Sequence, residues 1–174
     1  MTDRLDRLAA DILRDDRTRP SPRAAREHTN ILAVLRRIDT GHTYPLNVPG
    51  ILTLHRDLMT GAELEQPTAE PVTPGTLRTR DLPGAPATGL RQHLTTTLAA
   101  LHNNPPLTAA CGAHWAIATL IPFADGNGRT ARLLGIATLT AHTGNIHTAA
   151  TTLRPHWQMT RNPTRRAAAL LLTR

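Results

Sequence analysis

No lysine occurs anywhere in the 174 residues; all 20 basic side chains are arginine. With Thr, Ala and Pro abundant, that bias fits a GC-rich bacterial genome, so the number of arginines carries little functional weight. The single cysteine, Cys111, excludes an internal disulfide framework and a cysteine-rich metal site. Aromatics are 2 % of the chain, and Phe123, Tyr44, Trp115 and Trp157 are isolated from one another. The core must therefore be built from Leu, Ile, Val and Ala, which favours helices over strands. A formal charge of +7 would suit a polyanion. The arginines are scattered, acidic residues are interspersed through the N-terminal third, and no stacking aromatics accompany them, which argues against nucleic acid. No apolar run approaches the ~20 residues of a membrane span. The N-terminus, charged from Thr2 to Arg19, is unlike a signal peptide. The expected location is cytoplasmic, with no membrane association.

What is present reads as helix after helix. Leu5, Leu8, Ile12 and Leu13 form one stripe over Asp3 to Arg14. Pro20 and Pro22 interrupt, and Pro22 suits a first turn after Ser21. The second helix carries Ile31, Leu32, Val34, Leu35 and Ile38 and stops near Gly41. The spacing predicts a third over Val48 to Met59, ended by Gly61, and a fourth over Leu90 to Leu101. Between them, Ala62 to Gly89 is rich in Pro and Gly and reads as a long surface loop. A fifth helix is expected from Leu107 to Leu120, a sixth from Asn127 or Gly128 to Gly144, and one or two more from Ala149 to Arg174. The expectation is one all-α domain over 1–174: an N-terminal helix within 1–20, a core over 22–145 and C-terminal helices over 146–174.

The run Ile121-Pro122-Phe123-Ala124-Asp125-Gly126-Asn127-Gly128-Arg129-Thr130-Ala131-Arg132 carries the chemistry. Gly126 and Gly128 let the backbone approach an anion, and the N–H groups and dipole of a helix start favour negative charge. Arg129 and Arg132, three apart, share a face of the first helical turns and could both reach one polyphosphate. Asp125 would repel phosphate unless a divalent cation bridged the two. A Gly-Asn-Gly turn with Asp125 as a helix cap is the plain alternative for the turn alone. Asp, Gly-Asn-Gly and two spaced arginines together point to an anion site.

At this point the chain resembles the Fic/Doc family. Its signature, His-Pro-Phe, two residues of which the second is acidic, Gly-Asn-Gly-Arg and a second arginine three positions on, is matched without a gap over positions 122 to 132. Leu54-His55-Arg56-Asp57-Leu58, Pro74-Gly75-Thr76-Leu77-Arg78-Thr79, Ala113-His114-Trp115 and Glu27-His28-Thr29-Asn30 resemble further family segments. The resemblance implies an all-helical Fic fold with the motif loop joining its two central helices. It also implies Mg²⁺ on Asp125, phosphate on Gly126, Asn127, Gly128 and Arg129 with support from Arg132, and Phe123 as a core anchor. In active members the histidine of the loop deprotonates a hydroxyl, which then receives AMP or a related group from a nucleotide.

Three departures bear on activity. Ile121 stands in the histidine position and cannot accept a proton; a general base contributes roughly 10²–10⁴ in rate. About ten residues separate Arg78-Thr79 from the helix at Leu90, little room for the β-hairpin flap that aligns a target. No Ser/Thr-x-x-x-Glu-Gly/Asn inhibitory motif is present, and Ser21 to Glu27 matches it poorly. His114 lies two turns before Ile121, about 10 Å along a helix axis, and reads as a packed helix residue. His55 occupies a position that is normally structural, and neither His28, Cys111, His142 nor His147 has spacing that assigns it chemistry. Two readings follow. In one, the loop binds a nucleotide or other phosphorylated small molecule, with AMP transfer lost or repurposed to a different reaction. In the other, the chain is a non-catalytic Fic-like pseudoenzyme that binds nucleotide or a protein partner, acting as a regulatory or protein-binding module.

Overall fold

Helical spacing of Leu, Ile, Val and Ala decides where this chain becomes regular, and capping residues decide where each helix starts. In the computed structural model, which describes residues 3–14, 21–62, 72–82 and 85–159, the helices are α1 (Arg4–Arg14), α2 (Pro22–Asp39), α3 (Val48–Met59), α4 (Leu90–Ala99), α5 (Pro106–Leu120), α6 (Asn127–Thr143) and α7 (Ile146–Met159). Ser21 caps α2 by accepting from the Ala24 N–H at 3.0 Å, with Pro22 at the first position. Asn47 caps α3 through the Gly50 N–H at 2.9 Å. Gly50 admits no side chain: a Cβ there would sit 2.1 Å from the Pro45 carbonyl oxygen.

Two expectations shift. The fourth helix ends at Ala99 rather than Leu101, and the last starts at Ile146, three residues early, because Asn145 Oδ1 accepts from the Thr148 N–H at 2.9 Å. The expected helical stretch over 160–174 lies outside the described residues. Among the described residues no strand forms. The segment before α4 makes one isolated antiparallel bridge, Leu82 with Ala85.

α6 is the central helix. Every residue from Arg129 to Thr140 is buried, as expected of a helix surrounded on all sides, and it packs against α1, α2, α3, α5 and α7. Its crossing with α5 is close because Ala109, Ala110, Ala113 and Ala116 present little bulk. A Cβ at Gly135 would come within 3.2 Å of the Ala110 carbonyl oxygen. One hydrophobic cluster runs from Leu5 on α1 to Trp157 on α7. Fully buried Leu54, Leu58, Leu133 and Leu134 each contribute about 1.5–3 kcal/mol of transfer free energy. No described helix is long and apolar enough to cross a membrane.

Candidate functional site

The motif loop spans the gap between the C-terminus of α5 and the N-terminus of α6, so it meets one negative and one positive helix end. α5 stops because Ile121 turns left-handed, with φ 46° and ψ 59°. A β-branched residue resists that region, at a cost of about 1–3 kcal/mol. Its surroundings hold it there. The Ile121 N–H donates to the Ile117 carbonyl at 3.1 Å, and Arg78 Nε donates to the Ile121 carbonyl at 2.6 Å. Arg78, 4 % exposed, also donates to the carbonyls of Arg80, Ala85 and Pro86 at 2.5, 2.7 and 3.2 Å, while its own N–H donates to Pro122 at 2.9 Å. It ties the segment before α4 to the end of α5.

The middle of the loop is clamped as tightly. Asn127 Oδ1 accepts from the Phe123 N–H at 2.9 Å and its Nδ2 donates to the Phe123 carbonyl at 2.8 Å. Phe123 is fully buried and stacks on His55, ring centroids 3.7 Å apart. The Gly75 N–H donates to His55 Nδ1 at 2.9 Å, so Nε2 carries the proton and donates to the Asp125 carbonyl at 3.1 Å. Burial pushes the His55 ring down to about 4, against the pull of that carbonyl. Gly126, at φ 75°, passes so close that a Cβ would lie 2.7 Å from Met59 Sδ. No side chain caps α6, and its own hydrogen-bond ladder begins at the Thr130 N–H, which donates to the Gly126 carbonyl at 2.9 Å.

Charge gathers at this helix start. Arg129 ion-pairs with Glu27 through Nη1, and its Nη2 donates to Asp125 Oδ2 at 3.2 Å. Arg23 closes the circuit: its Nε donates to Glu27 Oε1 at 2.7 Å and its Nη2 donates to Asp125 Oδ2. Two guanidiniums and two carboxylates therefore alternate around a ring. The Glu27 side chain is 1 % exposed, that of Arg129 5 %, Arg23 12 % and Asp125 24 %. Arg132 engages a different partner, donating from Nη1 to the Ile12 carbonyl at 2.8 Å. That carbonyl belongs to the last turn of α1, one of the helix-end acceptors that lack an intrahelical donor. Next to the loop, a cavity of about 290 Å³ opens between Thr73, Thr76, Leu77, Thr79, Arg80 and Ala124.

The sequence profile of the Fic/DOC family matches residues 45–139. The chain belongs to the Fic/DOC family. Among solved structures, a Fic family protein from Desulfovibrio desulfuricans G20 shares the fold at 21 % identity and TM-score 0.62, over 92 % of this chain and 54 % of that one. A fragment of Fic-1 from C. elegans does so at 24 % identity and TM-score 0.55, over 90 % and 50 %. A variant of that fragment aligns at 23 % identity and TM-score 0.57, over 88 % and 51 %. This chain thus spans about half the length of the solved structures it matches. No curated protein matches it.

Within the Fic fold, the expected site residues separate by role. Gly126, Gly128 and Arg129 stand together at the start of α6, with Asp125 beside them. The Asn127 side chain is spent on Phe123, leaving only its main-chain N–H toward the helix start. Arg132 faces α1 rather than the same partner as Arg129. Asp125, expected to hold Mg²⁺, accepts from two guanidiniums at Oδ2, and the described residues contain no group of three or more metal-ligating side chains. Of the histidines, His55 is bonded at both ring nitrogens, and His28 Nε2 sits 3.4 Å from the Asp6 carbonyl. His114 is 3 % exposed, bonded to the Ala131 main chain and lowered to about 4 by burial. Each of the three is engaged with the main chain.

Motif matching missed Arg23 and placed Glu27 only in a family-like segment, without a role in the site. A signal existed: Ala24, Glu27, Ile31, Val34, Leu35 and Ile38 form the buried stripe of α2. A carboxylate on an apolar stripe demands a buried cationic partner.

Proposed function

We propose that this Fic-domain protein binds a phosphorylated ligand, a nucleotide in the first instance, at the start of α6, and that it does not transfer AMP by the base mechanism of its family. The ion pair between Glu27 and Arg129 carries the reading. A helix start without a capping side chain and with an arginine in its first turn calls for a negative group, and the first turn of α6 contains no acidic residue. Glu27 reaches in from α2 and supplies that charge, a carboxylate in the role a phosphate would take. A ligand enters by exchanging with it, because phosphate offers more acceptor oxygens and more charge to the same guanidinium. Ile121 leaves no proton acceptor where the reacting hydroxyl would lie, so binding is uncoupled from the usual chemistry. The cavity beside Ala124 leaves space for a small ligand or its appendage.

Calorimetry against a panel of nucleotides and sugar phosphates tests this. Saturable binding to the wild type, abolished by Arg129→Ala, is the expected result. The alternative, a non-catalytic module whose partner is a protein, draws on the same closed ion-pair ring: silence across the panel, even after Glu27→Ala, would favour it. A reaction on a small molecule would show as ligand turnover in the same mixtures, analysed by mass spectrometry.

A further inference from the structure

We propose that Arg23 is the resident cation of this site, standing on Asp125 where its relatives' motif would hold a metal ion, so that the helix start takes oxyanions without a divalent cation. The inference rests on the reading of the α6 start as an anion receptor. Arg23 lies in the first turn of α2, yet its Nη2 donates to Asp125 Oδ2, 102 residues away. Its reach is fixed from behind: Nε donates to Glu27 Oε1 one turn later at 2.7 Å, which orients the guanidinium plane. Glu27 is 1 % exposed, and it holds Arg23 through Oε1 while Oε2 pairs with Arg129.

The chemistry of Asp125 follows. Mg²⁺ requires about six oxygen ligands at roughly 2.0–2.1 Å in near-octahedral order. Asp125 Oδ2 already accepts from Arg23 and, at 3.2 Å, from Arg129. A dication brought there would meet two positive groups in place of open oxygen ligands, and Glu27, the carboxylate on the other side of the ring, is itself paired to both arginines. The ring instead neutralises Asp125 with Arg23. When an incoming phosphate takes Arg129 from Glu27, Arg23 still screens Asp125, removing the repulsion that a bare carboxylate would exert. The cation needed beside Asp125 is thus covalently part of the chain.

Two measurements on the full chain test this. In Mn²⁺ titrations followed by electron paramagnetic resonance, the wild type should retain no Mn²⁺, Arg23→Gln should gain one site, and Arg23→Gln combined with Asp125→Asn should lose it. In calorimetry with inorganic pyrophosphate, wild-type affinity should agree within about twofold between EDTA and Mg²⁺. That of Arg23→Gln should fall at least tenfold in EDTA and recover in Mg²⁺. A wild-type Mn²⁺ site removed by Asp125→Asn, an Arg23→Gln variant without a new site, or pyrophosphate binding that needs Mg²⁺ in the wild type would each overturn the proposal. Pyrophosphate failing to bind under either condition would overturn the receptor reading, while the Mn²⁺ result would still decide the place of Arg23.

Discussion

Two buried arginines flank the motif loop, and they are satisfied in opposite ways. Arg78 sits at the C-terminus of α5 and bonds main-chain carbonyls, Ile121, Arg80 and Ala85 among them. Arg129 sits at the N-terminus of α6 and bonds the side-chain carboxylates of Glu27 and Asp125. The helix dipoles account for the difference. Partial negative charge at the end of α5 welcomes a guanidinium, whereas partial positive charge at the start of α6 opposes one until anions join it. Carbonyls of the main chain cannot leave, so Arg78 is scaffold. Carboxylates on a neighbouring helix can be exchanged for another anion, so Arg129 is the adaptable member of the pair.

Breaking the scaffold arginine should cost most. Arg78→Met would orphan several buried carbonyls and release the turn at Ile121, with a loss of about 3–5 kcal/mol, seen as a lower urea midpoint at unchanged slope. A loss below about 1 kcal/mol would remove Arg78 from the scaffold role.

Acid should act on a similar scale, because two buried rings contribute. His55 and His114 are both lowered to about 4 by burial, against an ordinary value of 6.5. The unfolded chain takes up protons below 6.5 that the native rings refuse until the pH nears 4. The stabilisation is therefore complete above 6.5 and is lost as the pH falls toward 4, by up to about 3 kcal/mol for each ring. Urea unfolding at pH 7.0, 5.5 and 4.5 would expose this; a flat profile would mean that neither ring is held neutral.

Strain at Ile121 offers a smaller and opposite effect. Its left-handed backbone suits Asn or Gly better than a β-branched residue, so Ile121→Asn should raise stability by about 1 kcal/mol. A thermal midpoint that falls would show that packing of the isoleucine side chain outweighs its backbone. Histidine also tolerates this conformation. Ile121→His combined with Glu27→Ala is expected to label itself or a partner from a tagged nucleotide; a folded, nucleotide-binding double variant that stays unlabelled would point to the short segment before α4.

Much of the architecture was legible because it is local. The bounds of α3 follow from the apolar spacing over Val48 to Met59 and the stop at Gly61, and the start of α6 follows from its glycines. The motif named the family for the same reason: its residues are contiguous. The site's partners are not. Arg23 and Glu27 meet Asp125 and Arg129 across about a hundred residues, and no spacing rule links them. Arg132 looked equivalent to Arg129 by periodicity, yet α1 offers it a carbonyl. Which neighbour a buried guanidinium finds is settled by packing, not by position in a motif.

Exchange at Arg129 is best tested by titrating inorganic pyrophosphate into Glu27→Ala and the wild type side by side in a calorimeter. With the internal carboxylate gone, the variant should bind at least tenfold more tightly than the wild type. Equal or weaker affinity in a folded variant would contradict the idea that Glu27 occupies the place of the ligand.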